Sequence, residues 1–559
     1  MTYDLHDLNL PRLTGFQLKL AAKAIRNPLI APILGPILLN NLGFSRLKRF
    51  HSKLTPRLLP LHPHPIERQE AKTDSSPESQ APQKETSEFQ FREARDFTRA
   101  YKERIFQPST IAERIINTIQ KWEREEDSFV ALSQFAQEDI LQQAKSSTQR
   151  WQAGTPLSPL DGVPISVKEE LDLLPYATNV GTWIYRRNYP TTDATVVARL
   201  RKAGALLIGK AVMHEIGIGV TGFNTHYGMP QNPYQLRSYP GGSSSGSAVS
   251  VASGLCPISI GADGGGSIRI PASFCGVYGL KATFGRISEA GAAPLCWSVA
   301  HVGPIANSIR DLALSYQTIA GPDSRDPNSQ NQPAPDLPRR ESKDLSGTVI
   351  GIHRDWFEHS DSEIVQACQH AVDHLVRLGA SVKPITVEYL EESRLAHAVT
   401  IASEMLTSMS HAFPSQAHEF GLDVQMNLGL ASAFQSSDYL KAQQIRAQAI
   451  QNLEQIFLEV DVIATPTTAC TSPFIPEDAL PHGESDLTVL TRIMRYAFLA
   501  NLTGIPGLSA PVGYDHWGKP IGLQLMGRPW QESMLIRFGH ALQEYHGFKR
   551  PQRYVDLLV

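Results

Sequence analysis

The chain has 559 residues, 42% of them hydrophobic and 19% charged, with a formal net charge of −3. That is the composition of a globular protein with material for a large core, and the near-neutral balance gives no basic footprint for nucleic acid. Five cysteines, odd in number and without a CxxC pair, argue against a disulfide framework or a zinc site and fit a reducing, cytoplasmic setting.

The start, MTYDLHDLNLPR, carries acids and has no apolar stretch of the kind a secretory leader needs. Residues 14–50 read as two helical pieces, LTGFQLKLAAKAI at helical spacing and then the apolar run PLIAPILGPILLNNLGF over 28–44. That run is too short, and too broken by proline and glycine, to span a bilayer. Two readings of it stay open: a buried packed helix, or an apolar cap that touches a membrane or a greasy substrate. Residues 1–70 therefore form an N-terminal helical extension. The polar stretch KTDSSPESQAPQKETSE has nothing to bury and places a flexible linker at 71–90.

From 91 to 559 the pattern is continuously globular and reads as one domain. Helices are expected at 109–124, 132–146 and 194–203, the last followed by the buried strand ALLIGK. A strand, a helix and a strand follow in order over 348–388, and a long helix leads into the strand VDVIATP over 440–466. This alternation predicts an α/β fold, with helices on both faces of a mixed, mostly parallel twisted sheet.

The chemistry concentrates in GGSSSGSAVSVASGLCPISIGADGGGSIRIPASFCGVYGLKAT, residues 241–283. Serines sit there in glycine-rich turns that can bring bare backbone amides to a ligand. A serine surrounded by amide donors is what acyl transfer requires. Three short patterns nearby are coincidental. GIGVTG at 217–222 has neither a strand leading in nor a helix leading out, as a dinucleotide fingerprint would. GALLIGKA at 204–211 has Ala211 where a phosphate loop needs Ser or Thr. The GxSxG around Ser244 is not preceded by the strand that a nucleophile elbow caps.

Upstream, Lys168 ends the apolar alternation VPISV. Burial penalises an ammonium, so a lysine whose stem lies along a core is suited to act as a base. On its own, Lys168 reads better as a strand-end lysine reaching solvent beside Glu169 and Glu170. Taken with Ser243 and with Ser267 in DGGGS, it resembles the amidase signature family. LDGVPISVKEELD, ALLIGKAVMHEIGIGVTGFNTHYG, DVIATPTT and NLTGIPGLSAPVGYDHWGKPIGLQLMGRPW carry that resemblance across about residues 95–545.

The resemblance implies that Ser267 is the nucleophile. Ser243, following a cis peptide bond, passes protons between Ser267 and Lys168. The amides of Gly264, Gly265, Gly266 and Ser267 form the oxyanion hole, Gly217 offers its backbone to substrate, and Asp263 with Arg269 props the loop. No metal or organic cofactor is implied. The N-terminal segment, REARDFTRAYKERIFQPSTIAERIINTI and EVDVIATPTTACTSPFIPEDAL are similar to plant-type fatty acid amide hydrolases. This implies a lipid amide substrate, an extension covering a lipid channel with peripheral membrane contact, and a homodimer. An amidotransferase subunit that hands ammonia to a partner, or a general small-molecule amidase, is the alternative.

Overall fold

The computed structural model describes residues 3–63, 65, 89–125, 129–335, 343–413, 415–543, 545 and 547–559. Residues 71–88 of the expected linker lie outside these. In chain order the strands are β1 (Leu13–Thr14), β2 (Leu132–Gln134), β3 (Pro164–Lys168), β4 (Leu206–Ala211), β5 (Ile258–Ala262), β6 (Tyr278–Lys281) and β7 (Val302–Ala306). They continue with β8 (Val349–Ile352), β9 (Ser381–Pro384), β10 (Val462–Pro466), β11 (Glu484–Ser485), β12 (Gly507–Tyr514) and β13 (Pro520–Gly527).

Eleven of these form one sheet in the order β2-β4-β3-β5-β7-β6-β12-β13-β10-β8-β9. Every residue of β3 to β7, β10 and β13 is buried, so helices cover both faces and the fold is α/β, as the alternation indicates. The sheet is mixed, but its parallel pairs lie only towards its two ends: β3 with β4 and β5, and β8 with β9 and β10. From β5 through β7, β6, β12 and β13 to β10 every pairing is antiparallel, so the expected parallel majority is corrected. The cause of the misreading is physical. A strand covered on both faces is continuously apolar whichever way its neighbours run, so the pattern does not report direction.

The helices Pro108–Arg124, Thr195–Lys202 and Ser436–Ile456 stand where periodicity put them. The segment 132–146 does not stay helical throughout. It opens with β2, an edge strand antiparallel to β4, and the helix Gln137–Ala153 follows. All five cysteines are free and buried.

The N-terminal segment forms three helices rather than two: α1 (Gly15–Arg26), α2 (Ala31–Asn41) and α3 (Ser45–Arg49). α1 buries Leu18, Ala22 and Ile25 against the helix Leu422–Ala431, where Gly429 leaves room for Ile25: a Cβ there would lie 2.6 Å from its Cγ2. α3 buries Leu47 against the helices Leu390–Ser408 and Ser436–Ile456. β1 pairs with β11, tying the start of α1 to the body. α2 is not the buried helix that its apolar run allowed. Leu29, just before it, is 82% exposed and Ile33 is 68% exposed. No helix among the described residues is long and apolar enough to cross a membrane.

Candidate active site

Two neighbouring parallel strands build the site. β3 and β5 pair with Ile165 opposite Ile258 and Val167 opposite Ile260, so both deliver their C-terminal ends to the same edge of the sheet. β3 delivers Lys168 and β5 delivers the loop 263–268. Crevices at the carboxyl ends of parallel strands are where α/β sheets place ligands. Ser243 arrives from the other side, just ahead of the helix Ser245–Ala252, and the Ser244 amide donates to the Ser267 carbonyl at 3.2 Å. The Gly242–Ser243 peptide bond is cis.

Lys168 is buried, not reaching for solvent. Its Nζ donates to Ser243 Oγ at 2.8 Å and to the Ala262 carbonyl at 3.0 Å, and pairs with Glu170 Oε2 at 3.0 Å. Three acceptors match the three N–H donors of an ammonium. Glu170, which the sequence reading treated only as a solvent-side neighbour, is one of them. Ser244, the serine of the GxSxG pattern, is buried and spends its hydroxyl on the Ala262 carbonyl at 3.0 Å.

The loop is shaped by Asp263. Its carboxylate accepts from the Gly266 amide at 2.6 Å, the Ile268 amide at 3.1 Å, Arg269 Nε at 3.0 Å and Nη2 at 3.1 Å, and Asn501 Nδ2 at 2.9 Å. Both members of the Asp263–Arg269 pair are fully buried. Burial works to raise the Asp263 pKa. The Arg269 charge and hydrogen bonds, joined by Lys281 and Asn501, outweigh it and hold the carboxyl below its usual range. Gly266 sits at φ +111, and a Cβ there would lie 2.4 Å from Ile270 Cδ1, so the turn demands glycine.

Within the loop, the Gly266 N–H donates to the Asp263 carboxylate at 2.6 Å. The amides of Gly264, Gly265 and Ser267 have no partner among the described residues and remain open.

In front of the loop lies a cavity of about 190 Å³ that contains Ser267, Gly265 and Gly217 in its wall. Gly217 also approaches Ser243, where a Cβ would lie 3.5 Å from its Oγ. The rest of the wall is mostly apolar: Ile401 and Met405 from the helix Leu390–Ser408, Leu490 and Met494 beyond it, and Leu39, Leu42 and Phe44 from the N-terminal segment. Sequence reasoning missed His397 and Asn501. The histidine forms part of the cavity wall and bonds the Gly264 carbonyl, and Asn501 bonds both the carbonyl and the carboxylate of Asp263. Both lie more than 130 positions from the loop they hold, and no local spacing signals such a contact.

Residues 113–536 match the Amidase family model. The chain belongs to the amidase family and is an amide-cleaving hydrolase. It is 38% identical to a fatty acid amide hydrolase of Oryza sativa subsp. japonica over an alignment covering 100% of this chain and 96% of that one. It is 34% identical to a glutamyl-tRNA(Gln) amidotransferase subunit of Cyanothece sp., over 78% of this chain and 94% of that one. Among solved structures it is similar to the native peptide amidase of Stenotrophomonas maltophilia, with a TM-score of 0.70 and 25% identity, covering 82% of this chain and 98% of that one.

Proposed function

We propose that this chain hydrolyses long-chain fatty acid amides, N-acylethanolamines among them, through an acyl-enzyme on Ser267. The observation that carries the reading is the cavity: Ser267 stands in a wall that is otherwise mostly apolar and is shared with Leu39, Leu42 and Phe44 of the N-terminal segment. Each methylene moved from water into such surroundings is favourable by roughly 0.8 kcal/mol, so an acyl chain gains where a small polar amide does not. The full-length match to the rice fatty acid amide hydrolase supports the same reading, because the amidotransferase subunit matches a smaller share of the chain.

In this mechanism Lys168 takes a proton from Ser243, which takes one from Ser267, and the Ser267 oxygen attacks the amide carbonyl. Glu170, already paired with Nζ, is within reach of the proton that Lys168 must shed before it can serve as a base. The developing oxyanion is met by the open amides of the 264–267 loop. Returning the proton through the same relay lets the amine leave, and water repeats the sequence to free the acid.

Residues 1–70 would then cap the acyl channel. Phe16 and Leu20 on α1, Ile33 and Ile37 on α2, and Leu29 between the two helices are exposed apolar residues, and Lys19 and Lys23 are exposed on α1 as well. Such residues suit shallow, peripheral contact with a lipid surface. A homodimer, implied by the resemblance, would show as the mass of the protein in solution.

The test is a substrate panel on the full chain without added partners: hexadecanoylethanolamide, an aryl acetamide and glutamine. The long-chain amide is expected to be turned over best, with Ser267→Ala abolishing turnover. Preference for the aryl acetamide would favour a general amidase, and preference for glutamine the amidotransferase reading; turnover by Ser267→Ala would remove the nucleophile.

A further inference from the structure

In a planar trans peptide unit the carbonyl and the following N–H point in opposite directions. Whatever holds the Gly264 oxygen therefore aims the Gly265 N–H. That holder is His397, on the helix Leu390–Ser408, whose Nε2 lies 2.8 Å from Gly264 O. A carbonyl can only accept, so Nε2 carries the proton and donates.

Burial pushes the His397 pKa down to about 4; Arg446 and Arg269 act in the same direction, while the Gly264 carbonyl and Asp263 oppose them. The ring is thus a neutral imidazole near pH 7, with its tautomer set by this bond. The fit is close, since a Cβ on Gly265 would lie 2.8 Å from His397 Cε1. The Gly266 and Ile268 amides are held separately by Asp263. The peptide unit between Gly264 and Gly265 has no other hydrogen bond among the described residues.

We propose that His397 is a positioning residue of the oxyanion hole: by holding the Gly264 carbonyl it aims the Gly265 N–H at the acyl carbonyl being attacked by Ser267. This rests on the reading of Ser267 as the nucleophile. His397 acts through the backbone and takes no proton from the substrate.

The test compares wild type with His397→Phe, which keeps a ring but loses the donor, and His397→Gln, which retains an N–H donor. Turnover of a long-chain amide is measured beside binding of two inhibitors with the same acyl chain. One is a trifluoromethyl ketone, which forms a tetrahedral adduct on a serine, and the other a plain alcohol that cannot. Deleting an oxyanion donor outright costs about 10²–10³ in kcat, so misaiming one is expected to cost about 10-fold or more.

His397→Phe should lose that factor in kcat with KM little changed. Trifluoromethyl ketone binding should weaken in step, alcohol binding should stay the same, and His397→Gln should recover most of the loss. Unchanged kcat in His397→Phe, or equal weakening for the ketone and the alcohol, would overturn the proposal by reducing His397 to a piece of channel wall. If His397→Phe does not fold, His397→Leu, which also lacks a donor, takes its place: weaker ketone binding with alcohol binding unchanged supports the proposal, and equal weakening of both, or of neither, overturns it. Failure of the underlying reading looks different, because wild type would then be inactive or Ser267→Ala would retain turnover.

Discussion

Asp263→Asn removes the charge opposite a fully buried guanidinium and turns one acceptor oxygen into an NH₂ group facing other donors. In the wild type the Gly266 and Ile268 amides, two Arg269 nitrogens and Asn501 Nδ2 all point at this carboxylate, at 2.6 to 3.1 Å. Breaking one side of a buried ion pair costs about 3–5 kcal/mol, and an orphaned buried donor about 1–3 kcal/mol. The two overlap, so the expected loss in apparent unfolding free energy is about 5 kcal/mol.

The pH dependence has a definite sign. Burial pushes the Asp263 pKa up, but Arg269 wins and the net shift is downward from 3.8. A carboxyl lowered in the folded state contributes stability above its unfolded pKa and loses it as pH falls through the folded one. The gap between wild type and Asp263→Asn should therefore hold between about pH 5 and 8, and narrow only below about 4. Urea unfolding followed by tryptophan fluorescence measures it, with turnover recorded on the same samples, where loosening of the Gly266 turn should also cut kcat. A difference under about 1 kcal/mol near neutrality, or a gap that widens towards acid, would refute the reasoning.

Lys168→Ala should lower kcat by several orders of magnitude while leaving the thermal midpoint within a few degrees; residual activity within about tenfold of wild type would mean another group is the base. Leu42→Asp puts a carboxylate into the apolar wall, so kcat/KM should fall by about 10-fold or more for a sixteen-carbon acyl amide and little for an acetyl amide. An equal fall for both would mean that Leu42 does not line the acyl path. Glu169 is buried, and burial raises its carboxyl to about 7 against hydrogen bonds from Ser133 and the Met213 amide and the Lys210 charge. A raised carboxyl gives stability that is complete below its unfolded value of 4.5 and is lost as pH rises through about 7. Glu169→Gln should thus match wild type near pH 4.5 and exceed its unfolding free energy near pH 8.5, by ~2–4 kcal/mol. A wild type more stable at the higher pH would contradict it.

Much of the site was legible because the glycine-rich loop is local. DGGGSIR places the carboxylate, three glycines, a serine and the arginine within seven positions, and Asp263 folds them with hydrogen bonds of short sequence span. Lys168 was legible as the end of an apolar strand. A row of glycines looks uniform in sequence, and only the fold shows that Gly266 sits at φ +111 with its amide bonded to Asp263. His397, Asn501 and Glu170 escaped for a different reason: each is an ordinary polar residue until the fold brings it to the loop or to Nζ.

The α/β class, the choice of Lys168, Ser243 and Ser267 as candidates and the apolar character of the N-terminal segment could be read along the chain alone. These depend on periodicity and on residue types close together along the chain. Strand direction across the sheet, the counter-ion at Lys168, the hold of His397 on Gly264, and the placing of Leu39, Leu42 and Phe44 in the wall that contains Ser267 were decided only by tertiary structure. Each joins segments far apart in sequence, and apolar burial looks the same in the sequence whichever partner it is buried against.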